Sequence, residues 1–396
     1  MFFLSNLTQL DLTVPTKNPN SSPPPRAALG VGALALTTMV SPTACIPDVL
    51  ELSKNWRGCT ASHGWLEMLT EQLPSLFSPA PIFVNVGANK GYEAPRFLSL
   101  WSQRKSVSAK TWLRGIRGVA EGKASVNGEA PRRNGFLASQ TCGACREACM
   151  DGSKPHARDG GSVHLLEMAP PNAKLLRYLA NVTNSSDLVS VHNVAVSNEN
   201  GTAHTQANLL LGWENAGMLP PKDLHVAKKR ASCQKRASCP PAVDKLTVDD
   251  FLARERLPQI VDLIVIDTEG HDPYVLDGMR GALSSKRITL LEFEYSGKWP
   301  AERSLGHTLT SLAAHGYKCY MESRSHSRRG DEMLAPLSPP CWDPALERRK
   351  WSNVVCSHEP RALAMLDAAA WATFEERKSG NGTRTRKSKK FNSHGS

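Results

Sequence analysis

The run Ile260-Val-Asp-Leu-Ile-Val-Ile-Asp267 constrains this chain more than any other segment. It is too short for a buried helix and, apart from Asp262, too apolar for a half-exposed strand, so it reads as a parallel strand covered on both faces. It stops on Asp267-Thr-Glu269-Gly270, two carboxylates that an apolar core cannot satisfy. Weaker copies of the pattern recur along the chain. Strands are expected at 82–86, 163–167, 188–196, 288–295, 317–321 and 351–356, with helical spacing at 92–101, 172–179, 247–252, 272–283 and 304–315 between them. Strands and helices in that alternation define an α/β fold, a doubly wound, mostly parallel sheet with helices on both faces.

The chain has 396 residues and a formal net charge of +11. Its basicity belongs to its appendages. The last twenty residues carry seven basic and no acidic side chains, and 101–160 carries eleven basic against five acidic, which leaves the rest near −2. A solvated basic tail is the plainer reading; attraction to an anionic surface is the sharper one, and no specific nucleic-acid partner is expected. Residues 1–45 read as a targeting or tether segment: a single acid, many Ser and Thr, then the apolar stretch Ala27–Val40, which falls short of the roughly 18 residues of a membrane span. The secretory route is favoured and a plastid transit peptide is the alternative. Ten cysteines and sequons at Asn6, Asn20, Asn181, Asn184, Asn200 and Asn381 are compatible with an oxidising, lumenal or extracellular location. Residues 46–80 form a helical lead-in, 81–360 the main domain, 361–376 a C-terminal helix and 377–396 a basic tail. An insertion about 102–161 and a loop about 220–242 interrupt the domain. The insertion carries Cys142, Cys145 and Cys149, for which disulfides or free thiols are favoured over zinc. One pair among Cys319, Cys341 and Cys356 is expected to staple a Pro-rich loop to the sheet.

Ligands of such sheets bind at the carboxyl ends of the strands, near the switch in strand order. After the first strand comes Asn85-Val-Gly87-Ala-Asn89-Lys-Gly91-Tyr92, where a dinucleotide fingerprint would need glycine at position 89. The spacing G-x-N-x-G favours a different nucleoside ligand. Glu167 ends the second strand, where such folds hold a ribose. Asp267 and Glu269 end the fourth, and Glu292 and Glu294 repeat the arrangement on the fifth.

These segments, with Pro170/Pro171-Asn172, His192-Asn-Val-Ala-Val-Ser197, Val261–Gly278 and Leu291–Glu294, resemble FkbM-type methyltransferases over roughly Pro81–Gly297. The resemblance implies a Rossmann-like methyltransferase sheet with an antiparallel last strand. It also implies S-adenosylmethionine as cofactor and transfer of its methyl to the hydroxyl of a sugar, glycan or small metabolite. Asn85, Gly87, Asn89, Gly91 and Tyr92 would line the methionine side. Glu167 would take the ribose, Asn193 and Ala195 would lie beside adenine, and Asp267 would reach the ammonium. Glu269 and His271 are the candidate bases at the acceptor, with Glu294 behind them. No metal is expected, the alternative being a cation held by Asp267, Glu269 and Glu294. Val265 stands where members often carry Lys, and Asp272 where they often carry Glu, departures that bear on the acceptor more than on the cofactor. Two other readings stand beside this one. One is a nicotinamide-dependent oxidoreductase, which the residue at 89 disfavours. The other is a non-catalytic binding module, which has no need of both an intact glycine turn and acidic tips.

Overall fold

Nearly every apolar side chain of the expected strands is buried, and their order in space follows from that. The structure is a computed structural model. It describes Cys45, 64–102, 104, 106–126, 128, 133–134, 137, 160–206, 209–214, 217–218, 241–324 and 332–378, all within the compact unit Ser41–Ser396. In chain order the elements are α1 (Gly64–Gln72), β1 (Ile82–Val86), α2 (Glu93–Trp101), α3 (Ala109–Ala120), β2 (Ser162–Leu166), α4 (Pro170–Val182), β3 (Val189–His192), β4 (Val194–Val196), β5 (Gly201–His204) and β6 (Ala242–Leu246). There follow α5 (Val248–Arg254), β7 (Val261–Ile266), α6 (Asp272–Asp277), α7 (Arg280–Ser284), β8 (Ile288–Tyr295), α8 (Leu305–Ala314), β9 (Lys318–Arg324), β10 (Glu332–Pro336), β11 (Ser352–Ser357) and α9 (Pro360–Lys378).

The main sheet has the order β10-β9-β11-β8-β7-β1-β2-β3. Strands β3, β2, β1, β7 and β8 are mutually parallel. β11 inserts antiparallel between β8 and β9, as expected for the last strand, and β10 adds a second antiparallel strand at the edge. The chain winds outward from β1 to β3, then returns to β7 on the other side of β1. The β1–β7 seam is therefore the switch point where ligands of this architecture sit. A smaller sheet, β4-β6-β5, lies apart from the main one.

Several expectations are refined. The strand read at 188–196 is two strands in two sheets, broken at Asn193. The helix read at 272–283 is two short helices, parted at Gly278, where an added Cβ would stand 2.1 Å from the Ser197 carbonyl oxygen. Within the stretch read as an insertion, α3 is an ordered helix with a Ser108/Thr111 capping box, and its Trp112 and Ile116 are buried in the main core. Cys142, Cys145 and Cys149 lie outside the described residues, as do the targeting segment, most of the 220–242 loop and the basic tail.

Cys319 pairs with Cys356, directly opposite it on β9 and β11, while Cys341 pairs with Cys45. The Pro-rich loop is thus stapled to the N-terminal segment and not to the sheet. Among the described residues no helix is long and apolar enough to cross a membrane.

Candidate active site

The three central strands run out at one level, and their ladders continue one residue past each tip. Gly87 N–H donates to the Leu166 carbonyl at 2.9 Å, Asp267 N–H to Val86 at 2.9 Å, and Glu167 N–H to His192 at 2.9 Å. This brings the glycine turn and two acidic tips side by side. Gly87 has φ +88°, and a Cβ there would lie 1.8 Å from the Asp267 carbonyl oxygen, so only glycine lets the two tips approach. The cleft above them is lined by Gly87, Asn89, Glu167, Ala195, Asp267, Glu269 and His271 among the expected residues.

Glu167 is buried. Its carboxylate accepts Asn89 N–H and Ala169 N–H, each at 2.7 Å. Burial pushes its pKa up to about 7, aided by the negative charge of Asp267, although the two backbone donors oppose the rise. Asn193 does not line the cleft. Its side-chain amide ties down the Glu167 and Met168 carbonyls at 2.8 and 3.1 Å, and so fixes the loop that carries the acid.

After Asp267 the chain turns sharply, with Glu269 at φ +58° and Gly270 at φ +98°. The fully buried Asp272 holds this turn by accepting Thr268 N–H at 3.3 Å and Gly270 N–H at 3.1 Å, and burial raises its pKa to about 7. The Glu269 carboxylate is ion-paired with Lys298. His271 stacks on Tyr274, with 4.7 Å between centroids, and its Nε2 lies 2.9 Å from Ser197 Oγ. Burial, then the charges of Lys245 and Arg303, lower its pKa to about 4, so the ring is neutral at neutral pH.

The remaining expected residues lie behind the cleft. Asn85 is buried in β1 and donates to Glu93 at 2.5 Å. Gly91 packs against Leu176 and Trp112, and Tyr92 precedes α2 under the Lys90 ammonium. The fifth-strand acids do not project into the crevice. Glu292 accepts the Asn353 amide at 2.5 Å, and Glu294 is buried against Asp267. Burial and the charges of Asp267 and Asp272 hold Glu294 well above the carboxylate range. Among the described residues no three His, Cys, Asp or Glu side chains are placed to hold a metal ion.

The sequence reading missed the roof. Trp213, Glu214 and Met218 line the cleft from a segment without regular structure. Asn172 at the start of α4 accepts Gly212 N–H at 2.8 Å and donates to the Trp213 carbonyl at 3.2 Å. The fully buried Lys90 reaches up from the glycine turn to the Gly212 carbonyl at 3.1 Å and pairs with Glu214. The only signal available in the sequence was a lysine inside a glycine turn.

A parallel switch-point sheet with a glycine turn and acidic tips defines a Rossmann-like α/β fold. Residues 142–319, somewhat under half of the chain, match the family model described as Methyltransferase FkbM domain. Glu167, Asn193, Ala195, Asp267, Glu269, His271 and Glu294 fall inside the match, while β1 and its turn precede it. No curated protein sequence matches the chain. Among solved structures, the METTL16 MTase domain (crystal form 2) is similar at 12% identity, with a TM-score of 0.31 over 74% of this chain and 66% of that one. The chain thus spans just under two thirds of that structure.

Proposed function

We propose that the protein is an S-adenosylmethionine-dependent O-methyltransferase acting on a hydroxyl of a sugar, glycan or small metabolite in the secretory pathway. The observation that carries this reading is the chemistry of the cleft floor. Asn89 Oδ1 and Thr268 Oγ1 are buried there with no hydrogen-bond partner among the described residues, beside Asp267 and within one turn of Gly87. Buried polar atoms are rarely left unmatched, and an ammonium donor against a carboxylate would satisfy them. Asp267, Asn89 and Thr268 would hold the ammonium of the methionine moiety. Glu167 keeps lone pairs for ribose hydroxyls, and Val194, Ala195, Trp213 and Met218 offer apolar walls for a purine. These residue types fit the cofactor.

When bound, S-adenosylmethionine supplies a sulfonium methyl that an acceptor oxygen can displace in line, so most of the catalysis is positioning. The chain must still take the acceptor's proton. Glu269 is engaged by Lys298, and Glu294 is held protonated behind Asp267. That leaves His271. Ser197 has one hydroxyl proton, which it donates to Asn198 Oδ1 at 3.0 Å, so its oxygen accepts from His271 Nε2–H. The neutral ring then carries its lone pair on Nδ1, the nitrogen that would accept the proton. Glu269 and Lys298 stand at the cleft mouth, where an acceptor would be oriented. The lumenal part of the proposal rests on the disulfides Cys45–Cys341 and Cys319–Cys356.

The test is titration calorimetry with S-adenosylmethionine and, in parallel, NAD. It is followed by assay of S-adenosylhomocysteine release with fractionated glycan and metabolite extracts as acceptors. Binding of the first ligand alone, with release above background, is expected. Binding of NAD in its place, or of neither, overturns the reading.

A further inference from the structure

Three sequons fall within the described residues, and the fold separates them by what each asparagine already does. Asn200 heads Asn200-Gly-Thr202, and both ends of its amide are in use. Nδ2 donates to Asp250 at 2.8 Å and Oδ1 accepts Thr247 N–H at 2.9 Å, an arrangement that holds the start of α5. Asn184 heads Asn184-Ser-Ser186 and takes a left-handed φ of +51° just past the end of α4, a position where asparagine is favoured for backbone reasons alone. Asn181, of Asn181-Val-Thr183, has no such task. It is exposed, and its side chain makes no hydrogen bond among the described residues.

The surroundings of Asn181 suit a large substituent. Val182 beside it is 49% exposed, one of four large apolar side chains exposed among the described residues. Thr183 is buried and fixed, its hydroxyl donating to the Leu179 carbonyl at 2.7 Å, so the turn below the asparagine is rigid. Asn181 is nine residues along α4 from Asn172, about 13 Å at 1.5 Å per residue, and thus at the end of the helix away from the cleft roof. A glycan rooted there grows away from the site. Among the described residues no cysteine is free, which is the chemistry of a compartment where such transfer occurs.

We propose that Asn181 is an N-glycosylation site and that its glycan shields the apolar end of α4. This is independent of the methyltransferase reading. In the step, a bond forms between Asn181 Nδ2 and the anomeric carbon of an oligosaccharide. The bond from that carbon to the phosphate oxygen of a lipid-linked pyrophosphate donor breaks, and the Nδ2 proton passes to a base of the transferring enzyme. No oxidant or reductant is involved. Attachment precedes or accompanies folding, so what the fold must provide is tolerance of the product, and Asn181, unlike Asn200, provides it without loss of a side-chain hydrogen bond while lying on the regular helix beside the exposed Val182.

The experiment is expression of the full chain through a eukaryotic secretory pathway, release with peptide-N-glycosidase in heavy-oxygen water, and peptide mass spectrometry. The expected result is isotope-labelled aspartate at 181. Asn181→Gln should remove that glycan and Asn184→Gln should leave it. Mapping of the wild-type chain decides the matter even if a variant fails to export. An exported chain with position 181 bare, or with occupancy at 184 or 200 instead, overturns the proposal. The glycosylated and enzymatically trimmed forms should melt at the same temperature within error, while the trimmed form aggregates more readily.

Discussion

Glu294 on β8 hydrogen-bonds Asp267 at the tip of β7, and burial keeps the proton on Glu294. One carboxyl group thus acts as donor to the other, and the outer one is left facing the cleft. Because the folded pKa of Glu294 is raised above its ordinary value of 4.5, its contribution to stability is complete below that value and is lost as pH rises toward the folded pKa. Glu294→Gln keeps a donor without the titration. It should leave the fold intact and flatten the alkaline limb of thermal stability. Glu294→Ala should cost about 0.5–1.5 kcal/mol, the net scale of one lost hydrogen bond, because Asp267 faces the cleft and water can replace the lost donor. Equal alkaline limbs for the wild type and Glu294→Gln would contradict the shared proton.

Glu167 gives a second pH signature. Its pKa of about 7 means that stability falls as pH rises from about 4.5 through 7, while the ionised carboxylate that accepts ribose hydroxyls becomes more populated over the same range. Apoprotein melting temperature should therefore fall between pH 5 and 8 as S-adenosylmethionine affinity increases. Glu167→Ala should weaken binding by about 1.5–3 kcal/mol. Calorimetry across that range reads both effects, and a pH-independent affinity counts against Glu167 as the ribose ligand.

The acidic tip and the histidine should separate by assay. Asp267→Asn is expected to weaken cofactor binding with the sheet still folded. Glu269→Gln should leave binding nearly unchanged and change acceptor dependence. His271→Asn should lower S-adenosylhomocysteine release by about 10²–10⁴-fold at unchanged cofactor affinity. In the wild type the acid limb of turnover should lie near pH 4, well below the ordinary histidine value of 6.5. Ser197→Ala should move that limb, because it removes the acceptor that holds the ring proton on Nε2 and so lets that proton sit on Nδ1 instead.

Gly87→Ala tests the approach of β1 to β7. With φ +88° and a clash of 1.8 Å against a backbone oxygen, the variant should be destabilised by more than about 1 kcal/mol and bind no cofactor. A fully active Gly87→Ala would mean that the tips can separate without consequence.

Strand β7 was legible because an apolar run broken only by Asp262 has one plausible environment. The floor of the cleft was legible because Gly87, Glu167 and Asp267 each sit one residue past a strand. The 188–196 segment was not, since Asn193 breaks the strand by a tertiary bond to the Glu167 and Met168 carbonyls that no local pattern announces. The division of 272–283 had the same cause, a close approach of Gly278 to Ser197 from another part of the chain. Lys90 was unreadable for a related reason. A lysine becomes a buried structural group only once Glu214 and Gly212, more than a hundred positions away, are brought over it. Helix α3 escaped because its glycines and arginines dilute the apolar stripe of Trp112, Ile116 and Val119.

The bond between Cys45 and Cys341 spans 296 positions and takes the whole parallel sheet into one covalent ring. A protease that cuts once anywhere inside that ring leaves a single molecule, its two new ends still held by the sulfur bridge. Such a nick leaves one covalent molecule until the bridge is reduced, and reduction is what turns it into two pieces.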